Sequence, residues 1–247
     1  MKKAMILPAI FLMLNGWTVQ KAYGKNILTN AVLMHNAPKW LTATRMDQVI
    51  DHIELHLEWS IHRINAYMYN NAADYAKAQD LGPLAIAVTE TGGHTVVVRL
   101  GPQVTEKNFD QVFGHELVHV IVFQKYRGAV PKWLEEGLAN YFSRTDCIDY
   151  KWLAKQPFPS DVRKLSHPMH GTAAQIDYRY KASEAFAEML AHNCDLEELL
   201  RLSVTRKMTP YIHTYCGIKH LNGAFHKWVK QNAVHSTCVP DHWDKIY

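Results

Sequence analysis

The strongest constraint in this 247-residue chain is a pair of histidines four residues apart inside an apolar run. His115-Glu-Leu-Val-His119 is framed by Val112-Phe113 on one side and Val120-Ile121-Val122 on the other. A helix that apolar is buried, and buried imidazoles need partners. On a helix, positions i and i+4 lie about 40° apart, so both rings leave the same face. Two imidazoles there can bind one Zn²⁺ through ring nitrogens, and Glu116, leaning toward the same opening, can take a proton from a water. Catalytic zinc takes three protein ligands and keeps one position open. Pro131-Lys-Trp-Leu-Glu-Glu-Gly-Leu-Ala-Asn140 supplies the third. Sixteen residues separate His119 from Glu136, enough for one helix to finish and a second to cross it, and both Glu135 and Glu136 can reach.

The N-terminus points to export. Met1-Lys-Lys3 is followed by an apolar run from Ala4 to Leu14, and Ala22-Tyr23-Gly24 places small residues at the exit of a cleavable signal peptide over residues 1–24. The run is too short for a membrane-spanning helix, which needs about 20 residues. Removing that segment takes away three lysines and no acids, so the formal charge falls from +4 to +1. No run of five basic residues follows, which argues against nucleic-acid binding. Cys147, Cys194, Cys216 and Cys238 are even in number and contain no Cys-x-x-Cys pair. In an exported chain they predict two disulfides of undetermined pairing rather than a thiolate metal site.

Periodicity predicts an α+β first half. A helix is expected over 46–59, a strand within 59–69, a short helix over 72–79, and two strands, Leu84–Val88 and Thr95–Leu100, joined by a turn at Glu90-Thr-Gly-Gly93. The zinc-motif helix is expected from about 105–108 to 126 and its successor from Lys132 to Phe142. Residues 142–168 look irregular, and helices are predicted over 182–192, 196–203 and 221–229, so the second half is mostly α. The expected division is a mixed α/β part, 25–127, and a helical part, 128–247. His52, His56 and His62 are expected at the surface, and Trp133, Trp152, Trp228 and Trp243 as packing anchors.

His-Glu-x-x-His followed by Trp-Leu-x-Glu-Gly-Leu-Ala resembles the gluzincin zinc metallopeptidases, the thermolysin and aminopeptidase N class, and most of all their small peptidase MA-like domains. The resemblance spans residues 45–230, with only the two zinc motifs diagnostic. It implies a two-lobed fold and one zinc per chain, held by His115, His119 and Glu136. Glu135 then fills a variable, exposed position. Four residues after the ligand Glu, the family usually carries an acid that supports a zinc-bound His. Here Asn140 stands there, able to accept an imidazole N–H but without charge. Tyr180 is similar to the family's helical Tyr, a donor to the reaction's oxyanion, while Tyr178, His167 and His170 remain alternatives.

The expected function is therefore an exported, periplasmic or secreted peptidase with Glu116 as general base and acid. Its partner is a peptide or protein, with no nucleic acid and no membrane span in the mature, monomeric chain. An extended substrate can pair with the Leu84–Val88 edge, where the small Ala85 and Ala87 admit close approach. No Gly-x-Met-x-Asn segment precedes the zinc helix, which favours internal cleavage over aminopeptidase action. The alternatives are an inactive, zinc-stabilised binding or scaffold domain, toward which Asn140 leans, and a metal-free chaperone or inhibitor-like protein.

Overall fold

A computed structural model describes residues 24–235, apart from residues 83, 93–94, 166–170 and 206 and the side chain of His235. The expected signal peptide, His167, His170, Cys238 and Trp243 lie outside the described residues. The chain is α+β. Its strands are β1 (Lys25–Leu28), β2 (Val32–Ala37), β3 (Ile64–Met68), β4 (Ala87–Gly92) and β5 (Thr95–Leu100). They form one mixed sheet in the order β1-β2-β3-β5-β4, parallel at β2/β3 and β3/β5 and antiparallel at both margins. The helices among the described residues are α1 (Ala43–His56), α2 (Ala72–Ala78), α3 (Phe109–Ile121), α4 (Lys132–Ser143), α5 (Tyr150–Leu153), α6 (Ala173–Asn193), α7 (Leu196–Ser203), α8 (Met208–Thr214) and α9 (Leu221–His235). None is long and apolar enough to cross a membrane.

Helix α3 is apolar almost all round, and Phe109, Val112, Phe113, Leu117, Val118, Val120 and Ile121 are buried. It packs on β4, β5, α1 and α4. A bidentate ion pair from Arg45 on α1 to Asp110, 2.7 and 3.0 Å, fixes its first turn. It continues through a wider turn, Val122–Tyr126, and the chain reverses at Arg127 and Gly128, both with positive φ. Pro131 then caps α4. One continuous set of buried apolar side chains runs from Ile27 to Val229, across both halves.

Helices α4 and α6 cross at Gly137, where a Cβ would overlap the Ser183 carbonyl oxygen. The glycine is a requirement of approach, and it brings Glu136 on α4 toward Tyr180 on α6. Downstream, a disulfide joins Cys194 at the end of α6 to Cys216 beyond α8, and Cys147 is disulfide-bonded as well.

Several sequence expectations shift. The strand expected at Leu84–Val88 is β4, three residues later. It pairs in register from Ala87↔Leu100 to Gly92↔Thr95, so Glu90-Thr-Gly92 is strand rather than turn. The stretch 142–168 contains α5 and a 3₁₀ turn, Val162–Lys164. Helix α6 starts nine residues before the expected Ala182, secured by a Thr172/Gln175 capping box. Of the three surface histidines only His62 is exposed. His52 bonds the Phe142 carbonyl at 3.0 Å, and the His56 ring stacks on Phe142.

Gly137→Ala should lower stability by about 1–3 kcal/mol, the usual range for overpacking a tight contact. Denaturant unfolding checks this, with a lower midpoint expected at unchanged slope.

Candidate metal centre

The His-Glu-x-x-His segment and the Glu136 segment meet. His115 and His119 come from α3 and Glu136 from α4, and one donor atom from each lies within 4.8 Å of the others. The Nε2 atoms of the two histidines are 3.2 Å apart. Glu136 Oε2 is 3.5 Å from His115 Nε2, and its Oε1 is 3.6 Å from His119 Nε2. Donors held at about 2.0–2.2 Å by a tetrahedral Zn²⁺ stand about 3.3–3.6 Å apart; the imidazole–imidazole separation and the nearest imidazole–carboxylate separations, the latter through different Glu136 oxygens, are of that size. A hydrogen bond between the rings would account for 3.2 Å by itself. The Glu136 carboxylate adds an acid whose two oxygens each face one of the rings. The charge argues the same way. Glu116, Glu135 and Glu136 are only 5%, 6% and 2% exposed, and carboxylates buried together need cationic partners.

The centre lines a cleft of about 310 Å³, together with β4 residues, Lys132, Tyr180, and Asp80 and Leu81 of the loop before β4. Glu116 faces it beside the histidines. Its Oε2 accepts a 2.6 Å hydrogen bond from Thr89 Oγ1, which also lies 3.1 Å from the Glu116 carbonyl oxygen. The edge strand thus orients the carboxylate. Sequence reading missed Thr89. The available signal was the strand alternation that sets it on the opposite face from Val88.

Two expectations about α4 are corrected. Glu135 is not exposed: its Oε1 lies 2.9 Å from His119 Nδ1, and its Oε2 pairs with Lys132 Nζ at 2.6 Å. Helix α4 crosses α3 so closely that the position preceding Glu136 also meets it. Asn140 does not support an imidazole. Its Nδ2 donates to the Tyr180 carbonyl oxygen at 3.3 Å, tying α4 to α6.

Of the oxyanion candidates, Tyr180 lines the cleft, its ring 6.2 Å from that of His115. Burial, with Glu136 and Glu116 nearby, raises its phenol above the ordinary range, so it keeps its proton at neutral pH. Tyr178 packs against the apolar core. Ala87 lines the cleft, whereas Ala85 is buried in the connection before β4, outside it. This corrects the expected substrate contact at Ala85, because the strand starts later.

Burial lowers the pKa of His119, but Glu136, the bond to Glu135 and Glu116 outweigh it and raise it to about 9. The Glu135 carboxyl moves the other way. Burial raises it, and His119 and Lys132 bring it below its ordinary value.

No family model, curated protein or solved structure matches the chain.

The raised His119 value gives a signed prediction. In the absence of a cation, protonated His119 stabilises the fold fully below about pH 6.5, and this contribution is lost as pH rises through about 9. A cation must displace that proton, so zinc affinity should rise with pH across the same window. Calorimetry at pH 7 in two buffers of different ionisation enthalpy should report release of about one proton per zinc.

Proposed function

We propose that the chain is an exported zinc-dependent peptidase of gluzincin type, its cleft lying between a sheet-bearing half and a helical half. The observation that carries this reading is the convergence of His115, His119 and Glu136 to donor spacing, with Glu116 facing the same cleft. Of the two glutamates able to reach, Glu136 is the better third ligand, since Glu135 is committed to the far side of His119. A zinc ion held there would polarise the scissile carbonyl and bring the pKa of a water toward about 7.

The chain's own groups supply the rest. Glu116 accepts a proton from the attacking water and passes it to the leaving amine, acting first as base and then as acid. With Thr89 holding Oε2, Oε1 is the oxygen left for that work. Tyr180, protonated and inside the cleft, donates to the oxygen on which negative charge develops. Among the described residues strand β4 pairs with β5 alone, so its outer backbone groups can receive an extended peptide by strand addition. A substrate fixed along a strand edge rather than by its amino terminus favours internal cleavage. Export rests on the signal peptide expected over residues 1–24. The alternative, an inactive scaffold, leans on the uncharged Asn140; the carboxylate of Glu135 on His119 supplies a negative charge beside the imidazole and supports the enzyme reading instead.

Incubation with a mixed peptide library tests the reading. The wild-type chain should cleave internal bonds while retaining one zinc, and Glu116→Gln should retain zinc and cleave nothing. Equal behaviour of the two on every peptide contradicts it. Thr89→Val should lower kcat roughly tenfold or more, as expected for losing a hydrogen bond to a charged group, with zinc content unchanged. Thr89→Ser should recover most of that loss.

A further inference from the structure

Lys132, Glu135 and His119 form a chain of contacts running from the cleft rim to the metal centre. The Lys132 side chain is 69% exposed, and its Nζ lies 2.6 Å from Glu135 Oε2. Glu135 is 6% exposed, and its other oxygen lies 2.9 Å from His119 Nδ1. The opposite ring nitrogen of His119 faces His115 and Glu136 at 3.2 and 3.6 Å. Lys132 and Glu135 are three apart on α4 and so share a face, and both belong to the cleft wall.

We infer that Glu135 and Lys132 act as a pair of positioning residues: the ion pair holds the Glu135 carboxylate against His119 Nδ1 and thereby sets the affinity of the site for zinc. The inference rests on the zinc reading proposed above. A carboxylate on the far nitrogen of a ligating imidazole selects the tautomer whose Nε2 lone pair is free, turns the ring toward the cation and makes it a better donor. Here that carboxylate is the residue immediately before the ligand Glu136. One turn of α4 therefore delivers a ligand to the cation and a support to another ligand. Lys132 completes the arrangement from outside. Without it, Glu135 is a buried acid with one oxygen lacking its cation, free to rotate away from the ring. Asn140 is tied to the Tyr180 backbone and takes no part.

The test is zinc affinity, measured by competition with a chromogenic chelator, with the visible spectrum of the cobalt(II)-loaded chain as a report on ligand geometry. Loss of a supporting partner typically weakens metal binding by about 10–100-fold. Glu135→Gln should weaken binding about tenfold and Glu135→Ala more, each with a changed cobalt spectrum. Lys132→Met, at an exposed position that leaves folding intact, should weaken it several-fold. In the Glu135→Ala background, Lys132→Met should have no further effect, because Lys132 acts through Glu135. If Glu135→Ala does not fold, the isosteric Glu135→Gln and Lys132→Met decide the matter. Unchanged zinc affinity and cobalt spectrum in both overturn the pair's role while leaving the zinc site standing. If wild type and His115→Ala alike fail to bind zinc, the zinc reading fails and the inference falls with it.

Discussion

Three carboxylates and two imidazoles, nearly all withdrawn from water, converge where α3 crosses α4. The elements that pack on α3 and α4 surround that concentration of charge. Buried acids this close repel one another unless positive charge lies among them. His119 and Lys132 supply part of it, and the spacing of His115, His119 and Glu136 leaves a place for a divalent cation to supply the rest. The polar cluster is tolerable because its members are paired with one another and with Thr89 and Lys132 inside the surrounding apolar packing. The buried faces of α3 meet the sheet and α1, while α4 is clamped between α3 and α6.

The site also depends on how closely that clamp can shut. Gly137 lets α4 reach the backbone of α6, and Asn140 fastens the same pair of helices through the Tyr180 carbonyl. Together they bring the Tyr180 ring edge-on to that of His115. From the other side, β4 supplies Thr89, whose hydroxyl fixes the Glu116 carboxylate. Glu116 and His119 are thus each held by a side chain from an element other than their own, Thr89 of β4 and Glu135 of α4.

The parts legible in the sequence were those whose signal is local. The i,i+4 histidines in an apolar frame gave α3, and Pro131 with a following amphipathic pattern gave α4. Strands β1 and β2 escaped because four- and six-residue segments mixing polar and apolar side chains carry little periodicity. Strand β4 was placed early because its outer half is polar. An edge strand facing a cleft need not be apolar, and Glu90-Thr-Gly92 imitates turn chemistry. The first turns of α6 escaped for a similar reason, as their exposed residues show no buried face. Glu135 was misplaced because a charged residue beside a ligand is ordinarily solvated. Only the crossing of two helices, invisible to spacing along one chain, turns it inward against His119.

X-ray absorption at the zinc edge of the loaded, dialysed chain tests the central claim most directly. The account predicts about one zinc per chain in a shell of nitrogen and oxygen donors at about 2.0–2.2 Å, with the outer-shell scattering of two imidazoles. A six-oxygen hydrated shell, sulfur ligation, or no zinc surviving dialysis would contradict it.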